Sequence, residues 1–310
     1  MNWVLSGSYL INILGFINCN SMFLFWIMLE LNLLLFVLIL TCAENEGLDK
    51  FKMESLNYFI IQSFGSILFL VSFSMGDSIL FSINEGILVT SLLIKLALYP
   101  TSFWVYLMSN KLNYFCFWLL LSIQKLPLMI YLFSLDSNMV LFVLSLNVVM
   151  GCAYLIVSLD FRQVLISSSI YFTFWFFLSY GVSFSFYLLF YFIYTIMFSL
   201  FLFSYKDPNR ILNISSDSIM VFLFILFLLG LPPMPLFFMK LWSCDLFLLA
   251  WGVPFFLFIF FFTFLSLIGY FKFFFWAFLK FKDLNSESLE KKKISFILTV
   301  MSFLFLASFL

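Results

Sequence analysis

Long apolar runs separated by short polar breaks recur along the whole chain and divide it into segments of membrane-spanning length. They fall at 2–18, 21–42, 55–75, 84–109, 114–135, 138–158, 163–181, 184–204, 218–249, 254–279 and 294–310. A segment surrounded by lipid must satisfy its backbone hydrogen bonds internally, so the pattern predicts an all-α polytopic membrane protein of about eleven transmembrane helices. The first run has neither a basic flank nor a small-residue cleavage site and is read as a first helix, not a removable signal.

The fourth and ninth segments are long, and each is interrupted inside. In the fourth, Pro100 removes a backbone donor and disfavours helical geometry at Tyr99. In the ninth, the run LLGLPPMP at 228–235 contains Pro232 and Pro233. The two breaks lie five helices apart. Broken helices at matching positions predict two inverted five-helix repeats, approximately 1–135 and 138–279, with 294–310 as an extra C-terminal helix. All of 1–310 reads as a single transmembrane domain.

Loop charge gives the orientation. Lys50, Lys52, Lys111, Arg162, Lys206, Arg210, Lys280, Lys282, Lys291, Lys292 and Lys293 all fall after even-numbered helices, and the loops after odd-numbered helices carry no lysine or arginine. The positive-inside rule then places the N-terminus and the even loops on the matrix or cytoplasmic side and the C-terminus opposite. Lys272 lies close enough to the inner end of its helix to snorkel to that side. Glu44, Glu46, Asp49 and Glu54 read as solvated charges at headgroup level.

Four ionisable residues remain deep: Glu30 in the second helix, Lys95 in the fourth, Lys125 in the fifth and Lys240 in the ninth. Glu30 lies about nine residues, or roughly 13 Å, inside its helix, too far for a glutamate to reach an interface, so it needs an internal partner. Lys95 stands in an apolar run beside the break at Pro100. Intramembrane charges are costly and commonly mark ion paths or proton relays. Lys240 would reach the surface if its helix ended early, and Asp245 could pair with it. A buried Glu30–Lys95 pair at about 4 Å would be worth about 4 kcal/mol at an effective dielectric near 20. That is comparable to the roughly 3.5–4.6 kcal/mol that a membrane potential of about 150–200 mV supplies per charge, so the pair could act as a switch. Ser167, Ser168 and Ser169 form a hydroxyl cluster that could hold waters in a relay, although membrane serines commonly bond backbone carbonyls. Trp104, Trp118 and Trp175 read as packing or interface anchors.

Composition narrows the chemistry. Of the residues, 65% are hydrophobic and 10% charged, more apolar sequence than one soluble core could hide. The net charge is zero and no basic tract points to nucleic acid. Five cysteines are scattered without CxxC spacing, which indicates neither a disulfide framework nor a metal site. There is no histidine, which excludes histidine-ligated haem, copper and di-iron centres in this chain. Fifty phenylalanines suggest a T-rich coding sequence, as in some mitochondrial genomes.

WIMLELN at 26–32, IKLALYPTSFW at 94–104, SIQKLP at 122–127, FRQVLISSSIYFTFW at 161–175 and GLPPMPLFFMKLW at 230–242 resemble, in order and spacing, the chain 2 family of mitochondrial NADH:ubiquinone oxidoreductase, or complex I. These are antiporter-like membrane subunits, and the GLPP run and the lysine segments are the strongest parts of the match. The resemblance implies a multi-pass proton-translocating subunit of the mitochondrial inner membrane in the short eleven-helix form. Its N-terminus would face the matrix and its C-terminus the intermembrane space. By motif, the family's relay residues fall on Glu30, Lys95, Lys125 and Lys240. The resemblance implies no cofactor in this chain, with NADH, FMN, iron-sulfur clusters and ubiquinone elsewhere in the complex. It implies as partners a neighbouring antiporter-like subunit, small hydrophobic subunits and lipids, and no nucleic acid. The family usually has a lysine and a histidine where this chain has Gln163 and Phe172, so a water or Ser169 would take the histidine's place. It also tends to have phenylalanine and histidine at Thr101 and Ser102.

Two other functions fit a polytopic chain with deep charges. A stand-alone cation/proton antiporter would need a cation site, whereas the deep set has one carboxylate against three lysines. A structural scaffold subunit would use its charges to fix helix register, so that neutral substitution would disturb assembly.

Overall fold

The computed structural model describes residues 3–17, 19, 21–44, 50–75, 81–135, 137–158, 160–204, 224, 227–228, 230 and 234–281. Its helices are α1 (Trp3–Ile17), α2 (Met22–Glu44), α3 (Lys50–Met75), α4 (Phe81–Leu96), α5 (Phe103–Ser109), α6 (Tyr114–Leu121), α7 (Lys125–Phe133), α8 (Asn138–Val157), α9 (Phe161–Val182), α10 (Phe184–Ser204), α11 (Pro235–Trp251) and α12 (Val253–Phe281). No strand occurs among the described residues. Among the described residues, seven spans are long and apolar enough to cross a membrane: Met22–Cys42, Glu54–Ser74, Tyr114–Phe133, Asn138–Val157, Phe161–Val182, Phe184–Leu202 and Val253–Phe273. The expected helix at 294–310 and the prolines Pro232 and Pro233 lie outside the described residues.

The chain forms two compact units, Met1–Asn147 and Val148–Leu310. In the first, α3 packs against both α2 and α4, α1 packs on α2, and α7 packs on α4. Lipid tails are as apolar as leucine, so helices associate through close packing and small residues. Gly65 of α3 serves this role: a Cβ there would lie 3.2 Å from the stem of Lys95 and 3.3 Å from Ile94. Buried Phe36, Tyr58 and Trp104 meet through successive tilted and edge-on ring contacts across α2, α3 and α5.

In the second unit α9 is the central element, buried along nearly its whole length and packed against α10 and α11, while α11 also packs on α12. Gly151 of α8 lets that helix meet the backbone of α9, since a Cβ there would lie 3.0 Å from Tyr171 N and 3.1 Å from its Cα. Gly269 of α12 does the same against Leu155. Lys272 on α12 donates to the Ile156 carbonyl at 2.7 Å, capping the C-terminal end of α8.

Candidate functional site

Lys95 is the penultimate residue of α4 and is 5% exposed. The helix stops not at Pro100 but earlier, at Ala97, whose φ of +55° is left-handed. Ala97 N–H donates to the Ile94 carbonyl at 3.3 Å and Leu98 N–H to Leu93 at 3.1 Å, the paired bonds of a Schellman ending. A glycine usually occupies that position, so Ala97→Gly should relieve about 0.5–1 kcal/mol of strain and raise the unfolding temperature.

The break is satisfied by side chains. Tyr99 N–H donates to Asn147 Oδ1 at 2.7 Å, Trp104 Nε1 donates to the Ile94 carbonyl at 3.2 Å, and Gln62 Nε2 donates to the carbonyl of Lys95 itself at 3.4 Å. Non-helical backbone at membrane depth requires such partners. The Tyr99–Pro100 peptide is cis, and α5 resumes at Phe103. Trp104 is thus a buried structural donor; it is no interface anchor.

Lys125 is 3% exposed and also sits at a break, one the sequence reading missed. The expected helix 114–135 divides into α6 and α7, with three turn residues between them. Gln124 N–H reaches back five residues to Leu119 at 3.0 Å, and Lys125 N–H bonds Ser122 at 2.9 Å. This local π-type widening is a form often found at functional sites. Pro127 carried the signal. It occupies the third position of α7, where a missing N–H costs no intrahelical bond. Lys95 and Lys125 therefore each stand where a helix is interrupted, on α4 and α7, which pack together.

Glu30 is half-buried on α2 and acts electrostatically on Lys95. The expected 4 Å pair is not formed, whereas a close ion pair joins Lys111 to Glu54. That pair also corrects the reading of Glu54 as a solvated headgroup charge, since Glu54 is buried and Lys111 closes on it across 57 residues of sequence. It brings the N-terminal end of α3 and the segment after α5 to one side.

Lys240 lies in the second turn of α11, half-buried, with Nζ 4.9 Å from the ring centre of Phe172 and 5.6 Å from those of Tyr171 and Trp175. Cation–π attraction holds the ammonium against α9. Phe172, where the family usually has histidine, is therefore in direct contact with the lysine and is fully buried. Gly230, at φ +65°, makes room: a Cβ there would lie 3.2 Å from Nζ. The side chain of Asp245 lies outside the described residues.

Ser167, Ser168 and Ser169 are buried, and their hydroxyls donate to carbonyls of α9 itself, Ser167 to Gln163 and Val164, Ser168 to Leu165 and Ser169 to Ile166. Their protons point into their own helix, the structural use of membrane serines. Thr101 donates to the Leu98 carbonyl within the α4–α5 break, and Ser102 is buried there.

No family model matches the chain. It is 33% identical over 127 residues to NADH-ubiquinone oxidoreductase chain 2 of Rhipicephalus sanguineus, a match spanning 40% of this chain and 37% of that relative. It is 28% identical over 236 residues to NADH-ubiquinone oxidoreductase chain 2 of Anopheles gambiae, spanning 70% of this chain and 68% of the relative. Among solved structures, a chain of respiratory complex I from Thermus thermophilus with bound aureothin has the same fold, with a TM-score of 0.67 at 19% identity, covering 86% of this chain and 67% of that one. A chain of the membrane-bound sulfane sulfur reductase, an archaeal respiratory membrane complex, gives 0.65 at 15% identity, covering 96% and 70%. This multi-pass helical chain is thus similar in sequence to NADH-ubiquinone oxidoreductase chain 2 and in fold to a subunit of respiratory complex I.

Proposed function

We propose that the chain is a proton-translocating, antiporter-like subunit of respiratory complex I in the mitochondrial inner membrane. It passes protons between Lys95, Lys125 and Lys240 through internal water, under the influence of Glu30, while NADH oxidation and quinone reduction take place in other subunits. The observation that carries this reading is the placing of Lys95 and Lys125 at two helix breaks that pack together. Burial disfavours an ammonium, so a lysine at such a site can give up a proton that an exposed one would keep. A break takes backbone groups out of the helical hydrogen-bond pattern, and a carbonyl oxygen there can accept from water as well as from a side chain. A lysine placed only for packing needs neither.

The same reading includes two inverted five-helix repeats, an eleventh helix at 294–310, and an N-terminus on the matrix side. Its partners are another antiporter-like subunit, small hydrophobic subunits and lipids. The loop-charge asymmetry and the Lys111–Glu54 pair support the orientation. Single cysteines at Asn110 and Asn138, both exposed, should be labelled from opposite sides of the membrane, Asn110 from the matrix side. Labelling of both from one side would overturn the helix order.

Glu30 forms no ion pair with Lys95, so its influence acts through the field across a longer distance. Glu30→Gln should lower coupled NADH–quinone turnover about fivefold in assembled complex, with Glu30→Asp retaining part of the activity. Unchanged proton pumping in Glu30→Gln would remove it from the relay.

A further inference from the structure

Helix α3 carries Tyr58, Gln62 and Ser66 at four-residue intervals and hence on one face, and all three are buried. Ser66 bonds its own helix at the Ser63 carbonyl. The other two reach across to different breaks. Gln62 donates to the carbonyl of Lys95, and Tyr58, one turn away, accepts the amide N–H of Gln124, the residue immediately before Lys125. Trp104, edge-on to Tyr58 with ring centres 5.9 Å apart, donates to Ile94 at the first break. One helix face therefore grips both interruptions.

Because the Gln124 amide nitrogen is held by Tyr58, its Oε1 faces the other way, 5% exposed for the residue as a whole and without a hydrogen-bond partner. A buried acceptor is costly unless a donor reaches it. The donors that proton transfer brings to this break are water and the Lys125 ammonium. We propose that Gln124 Oε1 is the acceptor that orients water for proton transfer into Lys125, and that Tyr58 is the positioning residue that fixes the amide in that orientation. The inference rests on the proton-relay reading of the lysines. In the transfer, an N–H bond of the Lys95 ammonium breaks and an O–H bond of a bridging water forms. An O–H bond of the water chain then breaks and an N–H bond forms on neutral Lys125. Water is unchanged, Gln124 stays neutral, and one proton has moved.

Tyr58→Phe keeps the ring against Phe36 and Trp104 and removes only the oxygen. In assembled complex it should slow coupled turnover about fivefold, the loss of one buried hydrogen bond. It should also raise the solvent deuterium isotope effect, because proton transfer becomes rate-limiting; a merely structural contact would leave that effect unchanged. Combining it with Gln124→Met should add little, since the two act as one unit. Wild-type turnover and isotope effect in Tyr58→Phe would overturn the inference. Should Tyr58→Phe reduce subunit content, Gln124→Met alone decides by the same two readouts, with wild-type values again overturning it. Lys125→Ala, measured alongside, separates the two levels. If it is slow while Tyr58→Phe is normal, only this inference fails; if it too is normal, the relay reading fails with it.

Discussion

Complex I assembled with Lys125→Ala should reduce quinone with NADH at no more than about one tenth of the wild-type coupled rate, a smaller loss than the roughly 10²–10⁴-fold that a positioned proton-transfer group can contribute. The side chain is 3% exposed, begins α7 directly after the α6–α7 break, and follows a glutamine whose free oxygen can orient water. Alanine removes the amine that would take up the proton there. Lys125→Met controls for volume, because it keeps a long flexible stem and should be equally slow. Turnover and subunit content together check the expectation. A slow variant with normal content supports a relay, whereas falling content with normal turnover per complex supports a scaffold.

Gly151→Leu should have the opposite signature, with the subunit lost from the complex. The ideal Cβ at Gly151 lies 3.0–3.1 Å from the nitrogen, Cα and Cβ of Tyr171, so most of the clash is with backbone that cannot rotate away. Helices α8 and α9 would have to separate, and α9 carries the three rings that hold Lys240. Overpacking of this kind costs about 1–3 kcal/mol and more where backbone must move. Gly151→Ala should assemble with a lowered unfolding temperature. Normal assembly and thermal stability of Gly151→Leu would mean that the two helices approach less closely than described.

Apolar run length gave most helix positions, because lipid leaves the backbone few alternatives. It placed α8 and α10 within a residue or two, and it placed Lys95 and Lys125 in the interior. The start of α3 was legible less well: the helix begins at Lys50, five residues before the apolar run, since charged residues can continue a helix beyond the hydrocarbon. Pro100 signalled the first break, but the chain turns at Ala97, held by Asn147, Trp104 and Gln62 from distant sequence. Pro127 signalled the second break just as openly. The flanking run stays apolar, so run length alone predicts one continuous helix over 114–135. The burial of Glu54 depends on Lys111, and the surroundings of Lys240 depend on α9, contacts that no local pattern contains. The serine cluster carries two readings, and its hydroxyls donate to carbonyls of α9 while their oxygens can still accept.

Phe172 extends the comparison to a working difference from the resembled family. A phenylalanine face attracts an ammonium but cannot relay a proton, so the proposed relay needs another route near Lys240. Phe172→His should support assembly if the ring's shape is what α9 requires, and assembled complex with this change would report on that route by its pH dependence.

The most direct test of the relay is the number of protons moved per NADH oxidised by assembled complex in sealed vesicles, measured for wild type and for Lys95→Met, Lys125→Met and Lys240→Met. The relay account expects every variant to contain the subunit, and each to pump protons more slowly or in a lower ratio to NADH than wild type. Wild-type rate and ratio in all three assembled variants would contradict it.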